Sequence, residues 1–325
     1  MTKNNQKNIL IIEPNSDGMR LDNFLIKSLK GLPKTKIYSM IRKGEVRINS
    51  KRAKPMSRIK LNDLIRIPPY LLNIKKPERK AEKMDLAWID EIILHEEKGF
   101  LVVNKPSGLA VHGGSGISFG LIELLRKHRD DKYETLELVH RIDKETSGII
   151  LIAKKRSSLR RLHQYFRDGV IKKTYQAMLL GQSDRETFVV DQPLRVDRSN
   201  KYRKSVIDPK GLKAITKFEL IEDMKLASLF KVSPITGRTH QIRAHSAFIN
   251  MPIAGDNRYC SQEDVIKKKF ALRRLFLHAS EISFPGFQDS DRDYHFKADL
   301  ADELKIVLRN LRSVSYTHLT LPTKA

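Results

Sequence analysis

The stretch VHRIDKETSGIILIAKK, residues 139–155, joins a charged loop to an uninterrupted apolar run, and the architecture can be worked out from that junction. The run Ile149 to Ala153 is too short for a helix and too continuous for a strand with one wet face. It predicts a buried strand. Upstream, EIILHEEKGFLVVNKPSG (91–108) reads as a hairpin, and VHGGSGISFG (111–120) as a Gly-rich loop leading into a helix around Leu121 to Leu125. Downstream, Leu159, Leu162, His163 and Phe166 recur at helical spacing. Further strands are expected over roughly Lys172–Leu180, Ala214–Glu219 and Ala227–Ser233, and a last helix over about Ala301–Leu311. Strands and helices mix without a regular βαβ rhythm, so the fold class is α+β with a mainly β core rather than a doubly wound sheet.

The chain has 325 residues, more than one core usually organises, so two domains are expected. A single cysteine, Cys260, excludes disulfide frameworks and cysteine-based zinc sites and fits a reducing, cytoplasmic setting. No apolar run approaches membrane-spanning length, and MTKNNQKNIL carries no signal-peptide core. With 62 Lys and Arg against 38 Asp and Glu, the formal net charge is +24, which calls for a polyanionic partner, either nucleic acid or an acidic membrane surface.

That charge is not evenly spread. Residues 18–80 hold 18 basic and 4 acidic residues, whereas residues 81–312 hold 41 and 32. A solvated surface is the alternative reading of this concentration, and the local pattern argues against it. The basic segment also has the pattern of a small module. Leu21, Phe24, Leu25 and Leu29 line one helix face; Pro33 opens a second helix with Ile37, Met40 and Ile41 inward, and Gly44 stands where a C-terminal cap belongs. Lys34, Lys36, Arg42 and Lys43 lie on its outer side, followed by a basic hairpin through Val46, Arg47 and Ile48 with a turn at Asn49 and Ser50. A closing strand, Leu64 to Ile67, stops at Pro68 and Pro69. The polar, basic YLLNIKKPERKAEK (70–83) reads as a linker.

Several chemical motifs fail on spacing. Gly114, Gly116 and Gly120 miss the dinucleotide fingerprint by one position, leaving a phosphate-binding loop or a tight turn. In HRID an Ile interrupts the kinase H-R-D, and no D-F-G exists. His240 and His245 are five apart with no nearby carboxylate in sequence, which favours core or RNA-facing histidines over a metal pair. What remains is Asp143, a carboxylate between Arg141 and Lys144 ahead of a Thr-Ser-Gly turn, which on its own could be a loop salt bridge.

Two resemblances decide the matter. GMRLDNFL and KGEVRINSKRAKP, within residues 18–67, resemble the small RNA-binding domain named after a ribosomal small-subunit protein, the alpha-L motif. HRIDKETSG closely resembles the signature of the RluA family of pseudouridine synthases, with Ile142 replacing the usual Leu. The other family segments follow in order: NKPSG (104–108), KKTYQA (172–177), TGRTHQIRAH (236–245) and LFLHA (275–279). The resemblance therefore implies an alpha-L domain at residues 18–69 after an N-terminal extension (1–17), a basic linker (70–88), and a mixed, mainly antiparallel pseudouridine synthase catalytic domain at 89–312. Residues 313–325, SVSYTHLTLPTKA, fit no family pattern and read as a non-native or disordered tail.

By the same resemblance the activity is isomerisation of uridine to pseudouridine in large-subunit (23S) ribosomal RNA or a pre-ribosomal particle, by a bacterial-type cytoplasmic enzyme with no cofactor or metal and no membrane partner; the sequence does not speak to oligomeric state, and a monomer is the default expectation. A carboxylate suits the nucleophile, being ionised at neutral pH with a reference pKa of about 3.9. Asp143 takes that role, Arg243 is its ion-pair partner, and Tyr175 packs on the base and takes or relays the proton from carbon five. Leu277 closes the pocket floor, and Arg141 inserts where the uridine leaves the stack. His140, Lys105, Arg238, His240, Arg42, Lys43 and Arg47 are the further RNA-binding candidates. The alternative from another class is a non-catalytic ribosome-assembly factor that only binds RNA.

Overall fold

In the computed structural model the chain divides into two units, residues 1–84 and 85–325. The structure describes residues 8–29, 32–73, 85–113, 119–129, 133, 135–197, 204–260, 264–287 and 292–317. In the first unit the elements are β1 (Ile9–Ile11), α1 (Leu21–Ser28), α2 (Lys34–Lys43), β2 (Arg47–Ile48), β3 (Lys51–Arg52) and β4 (Leu64–Arg66). The strands form one antiparallel sheet in the order β1-β4-β2-β3. Leu21, Phe24, Leu25, Ile37, Met40 and Ile41 are buried between the helices and the sheet, as the helical spacing requires. Gly44 ends α2 with φ +73, a left-handed conformation that favours glycine, and its N–H reaches the Met40 and Ile41 carbonyls. Asn49 and Ser50 both have positive φ, the turn that a two-residue hairpin connection demands.

Two boundaries differ from the sequence reading. Ile9–Ile11, in the stretch read as an extension, pairs with Leu64–Arg66 at the edge of the sheet, and Ile12 is fully buried. At the stretch read as a linker, Leu71 is buried in the first unit and Leu86 in the second, so both ends of 70–88 belong to folded units. Residues 74–84 lie outside the described residues.

The second unit contains α3 (Trp88–Glu91), β5 (Ile93–Glu96), β6 (Phe100–Lys105), α4 (Leu121–His128), β7 (Glu137–Leu138), β8 (Ser147–Ala153), α5 (Arg156–Arg167) and β9 (Lys172–Leu180). There follow β10 (Thr187–Asp191), β11 (Leu194–Asp197), β12 (Lys204–Ile207), β13 (Ile215–Met224), β14 (Ala227–Pro234), α6 (Gln241–Phe248), α7 (Val265–Lys269), β15 (Leu277–Phe284), β16 (Tyr294–Lys297) and α8 (Asp302–Thr317). A ten-stranded sheet runs β10-β13-β14-β9-β15-β8-β6-β5, with β16 against β15 and β7 against β8. β15 and β8 are parallel and the other pairings antiparallel.

Every residue of β8 is buried, and the reason is visible in the two cores. Ile150 and Ile152 pack with Leu121 and Leu125 of α4, while Ile149 and Leu151 pack with Leu162 of α5. A strand covered on both faces has no polar side, hence the continuous apolar run; each such side chain contributes about 1.5–3 kcal/mol by burial. Farther along the sheet, Leu304, Val307, Leu308 and Leu311 of α8 pack onto the third core. That helix continues to Thr317, so residues 313–317 of the stretch read as a tail are helical. Neither proline nor glycine interrupts them.

Candidate active site

The loop between β7 and β8 carries HRIDKETSG, and its shape is set by its neighbours. Gly148 has φ +107, and a Cβ there would stand 2.2 Å from the Ala279 carbonyl oxygen, so only glycine lets β8 and β15 approach. Ser147 Oγ shares a hydrogen bond with His278 Nδ1 at 2.8 Å and accepts one from Arg274 at 2.5 Å, tying this loop to LFLHA. NKPSG supports the loop from below. Gly108 N–H donates to the Lys144 carbonyl (2.8 Å), and Ser107 Oγ donates to the Glu145 carbonyl (2.6 Å). Thr146 N–H closes the turn on the carbonyl of Asp143 at 3.2 Å.

These contacts present the Asp143 side chain, one-fifth exposed, to a cavity of about 350 Å³. Arg243 Nη1 lies 3.5 Å and His240 Nε2 3.8 Å from Asp143 Oδ2. Arg243 is 1% exposed and shares its charge among three carboxylates. Its strongest bonds go to Asp256, from Nε at 2.7 Å and Nη2 at 2.8 Å, and Nη2 also faces Glu145 at 3.3 Å. Burial works against the guanidinium's charge, but Asp256 first and then Asp143 and Glu145 outweigh it and raise its pKa above the usual arginine value. Asp256, itself 2% exposed, also accepts the N–H groups of Arg258 and Tyr259. The expected pair of Arg243 with Asp143 is therefore one side of a buried cluster whose main anchor, Asp256, the sequence reading did not include.

His240 is held by the same cluster. It sits at φ +50 just before α6, an unfavourable conformation for a non-glycine residue, and its Nδ1 pairs with the Tyr259 hydroxyl at 3.0 Å. Tyr259 accepts the Ser205 N–H at 2.7 Å and stacks beneath the Arg243 guanidinium. Burial lowers the His240 pKa although Asp143 acts to raise it. Gln241 fixes the preceding loop: its Oε1 accepts from Thr236 and the Arg238 N–H, and its Nε2 donates to Ile215 and Thr216. His245 is a core residue, bonded to Thr216 and the Gln192 carbonyl.

Tyr175, Leu277, His140, Arg141, Arg238 and His240 join Asp143 and Arg243 in lining the cavity. Burial, reinforced by the charge of Asp143, pushes the Tyr175 phenol up, so it keeps its proton at neutral pH. His140 accepts the Leu151 N–H on Nε2 and packs on Phe166; burial, and next the charge of Lys173, bring its pKa down to about 3, so it is neutral. Arg141 is exposed at the cavity, and Arg238 is exposed with Nε bonded to the Lys213 carbonyl. Lys105 differs from its expected role. It is fully buried, outside the cavity lining, and its Nζ donates to the carbonyls of Pro106, Leu109 and Lys144. A lysine this deep serves as a strut between two loops, because its ammonium satisfies carbonyls that neither loop can satisfy internally.

In the first unit, described by itself, Arg42 and Lys43 are exposed at the end of α2, and Arg47 is half-buried with its guanidinium on the Gly44 and Ser50 carbonyls. Of the Gly-rich loop, Gly114 and Gly116 lie outside the described residues, and the N–H groups of Gly113 and Gly120 both donate to Glu123 Oε2. Those two donors are thus engaged by a carboxylate at the start of α4. Among the described residues no group of three or more His, Cys, Asp and Glu is arranged to hold a metal, and no helix is long and apolar enough to cross a membrane.

Residues 99–248 match the RNA pseudouridylate synthase family, and residues 19–65 the S4 domain. The chain is 42% identical over 308 residues to ribosomal large subunit pseudouridine synthase C of Vibrio vulnificus, covering 94% of this chain and 96% of that protein. It is 44% identical over 305 residues to the protein of the same name from Haemophilus ducreyi, covering 93% and 95%. Among solved structures, human RNA pseudouridylate synthase domain containing 4 aligns with a TM-score of 0.57 at 27% identity, covering 70% of this chain and 95% of that one.

Proposed function

The chain belongs to the RNA pseudouridylate synthase family and is a pseudouridine synthase, and from that premise we propose that it isomerises specific uridines of large-subunit (23S) ribosomal RNA in the cytoplasm, with Asp143 as the nucleophile. The observation that carries the reading is the carboxylate of Asp143 at the wall of an open cavity, 3.5 Å from a guanidinium whose own position is fixed by Asp256. The name of the relatives supplies the RNA. Family membership replaces the binding-only alternative with an enzyme.

Pseudouridylation breaks the bond from ribose C1′ to uracil N1, turns the base, and joins C1′ to C5; C5 gives up a proton and N1 gains one, so nothing is added or lost. The target nucleotide first leaves the stack, at a cost of a few kcal/mol, and Arg141, exposed at the cavity, fills the space it vacates. Asp143 then attacks either the anomeric carbon or the ring and is regenerated when the new bond forms. Arg243 orients the carboxylate without neutralising it, since its proton is held by three anions. Tyr175 carries a protonated phenol, which suits a relay in which the hydroxyl passes on its proton as it receives the one from C5; a resting phenolate would be needed for simple acceptance. Leu277 excludes water from beneath the base.

Asp143→Asn tests this reading on an unmodified 23S transcript. Arg243 retains Asp256 and Glu145, so the fold and the RNA affinity are expected to remain within about twofold, while pseudouridine formation is abolished. Continued product from that variant, read by mapping pseudouridines along the transcript, would overturn the assignment.

A further inference from the structure

We propose that Lys173 forms a phosphodiester subsite at the edge of the cavity, holding a backbone phosphate next to the nucleotide that enters it. The proposal rests on the pseudouridine synthase reading of the cavity and extends it to the strand on which the uridine lies.

Lys173 is the second residue of β9, where that strand passes from exposed to buried, and it lines the cavity with Phe166, His140 and Gly237. Its ammonium stands 5.8 Å from the centre of the Phe166 ring. A Cβ on Gly237 would stand 3.8 Å from Nζ, an ordinary contact distance, which places the ammonium beside this glycine at the cavity wall. Other sheltered cations of this unit have acceptors: Lys105 has three carbonyls, Arg243 has Asp256, and Arg274 has Glu303 and Ser147. Lys173, among the described residues, has neither a carboxylate within ion-pair distance nor a hydrogen-bond acceptor; the anions near the cavity are all gathered around Arg243. Burial lowers its pKa, as it must for an ammonium without an anion.

A half-desolvated charge with a ring face beside it but no anion is unfavourable for the fold, and a side chain that weakens the fold while facing a substrate cavity is best explained by what the substrate brings. The anions of an RNA strand at neutral pH are its phosphodiesters. His140, whose pKa the charge of this ammonium helps to lower, is neutral and accepts from the backbone, so it neither competes for the phosphate nor supplies an alternative partner.

The experiment uses the full chain, Lys173→Met and Lys173→Arg, with dissociation constants measured over a salt series for a short unmodified RNA containing the target uridine, with and without a neutral methylphosphonate linkage on either side of it. Expected for Lys173→Met are a melting temperature equal to or above that of the parent, roughly tenfold weaker binding, and a slope of log affinity against log salt shallower by about 0.7, the contribution of one single-strand phosphate contact. Lys173→Arg restores affinity. One of the two neutral linkages weakens binding by the parent protein and has little further effect on Lys173→Met, the non-additivity of two groups in contact. Equal losses in parent and variant, or a lowered melting temperature with an unchanged salt slope, would overturn the subsite. Dissociation constants require no turnover, so a parent that binds in this way but makes no pseudouridine would overturn the assigned reaction and leave the subsite standing.

Discussion

The two units of the chain treat positive charge in opposite ways. In the first, Lys34, Lys36, Arg42 and Lys43 are exposed, and among its described residues one ion pair forms, Arg20 with Asp22. In the second, Arg243 and Lys105 are removed from water and each is surrounded by acceptors fixed within the fold. Exposed charges act at a distance and are screened within about 10 Å at 0.1 M salt, whereas a buried cluster keeps its geometry regardless of salt. In the proposed function the first arrangement would gather a polyanion and the second would aim one carboxylate. Salt is accordingly the variable that separates them.

The largest effect is expected at Asp256. Asp256→Ala leaves a buried guanidinium without its bidentate partner, which should lower stability by about 3–5 kcal/mol. Asp256→Asn preserves the shape and isolates the charge. Arg243 then shifts toward Asp143 and Glu145, so pseudouridine formation should fall by roughly a hundredfold through the rate constant, with the salt dependence of RNA binding unchanged. If Asp256→Asn turned over at the parental rate, the buried anion would have no part in aiming Asp143.

How far such residues could be seen in the sequence depends on what surrounds them. β8 and the helices α1 and α2 were legible because apolar spacing reports a core face directly. The family was legible because HRIDKETSG, TGRTHQIRAH and LFLHA fall in order, and these segments do converge: Asp143, Arg243 and Leu277 line one cavity. α6 was not legible as a helix. Gln241 to Ser246 are all buried although four of them are polar, so no apolar face stands out at helical spacing. β1 is three residues long and gains its meaning only from pairing with β4, some fifty residues away. Asp256 and Tyr259, in an irregular turn after α6, carry no periodic signal; the available hint was that Arg243, expected in a closed pocket, needs more than one anion. Lys105 shows the converse, a motif lysine whose charge suggested RNA and whose depth makes it a strut.

That strut gives the intermediate effect. Lys105→Met takes the donor from the Pro106 and Leu109 carbonyls, while Lys144 keeps the Gly108 N–H, and a loss of about 2–3 kcal/mol is expected in chemical denaturation at pH 8, with the salt slope of RNA binding unaltered. Burial, and next the charge of Arg274, lower the Lys105 pKa to about 7, well below its value in an unfolded chain. Between about pH 7 and 10 the unfolded state therefore binds the extra proton, and stability should rise with pH across that window. The Met variant lacks this rise, so its deficit should widen from pH 7 to pH 9. A shallower salt slope in Lys105→Met would return the residue to the RNA-binding surface and blur the distinction between the units.

The smallest effect belongs to the exposed cations, and its value lies in what it leaves untouched. Arg42→Gln with Lys43→Gln removes two charges that make no ion pair among the described residues, so the melting temperature should stay within about a degree. If each meets a phosphate, the slope of log affinity against log salt should become shallower by about 1.4–1.8, and binding should weaken severalfold at low salt and little at high salt. The rate constant for pseudouridine formation at saturating RNA should not change, because the groups that aim Asp143 belong wholly to the other unit. A double variant that slowed turnover at saturation while keeping its salt slope would mean that the first unit takes part in the chemical step, and the division between gathering and aiming would have to be abandoned.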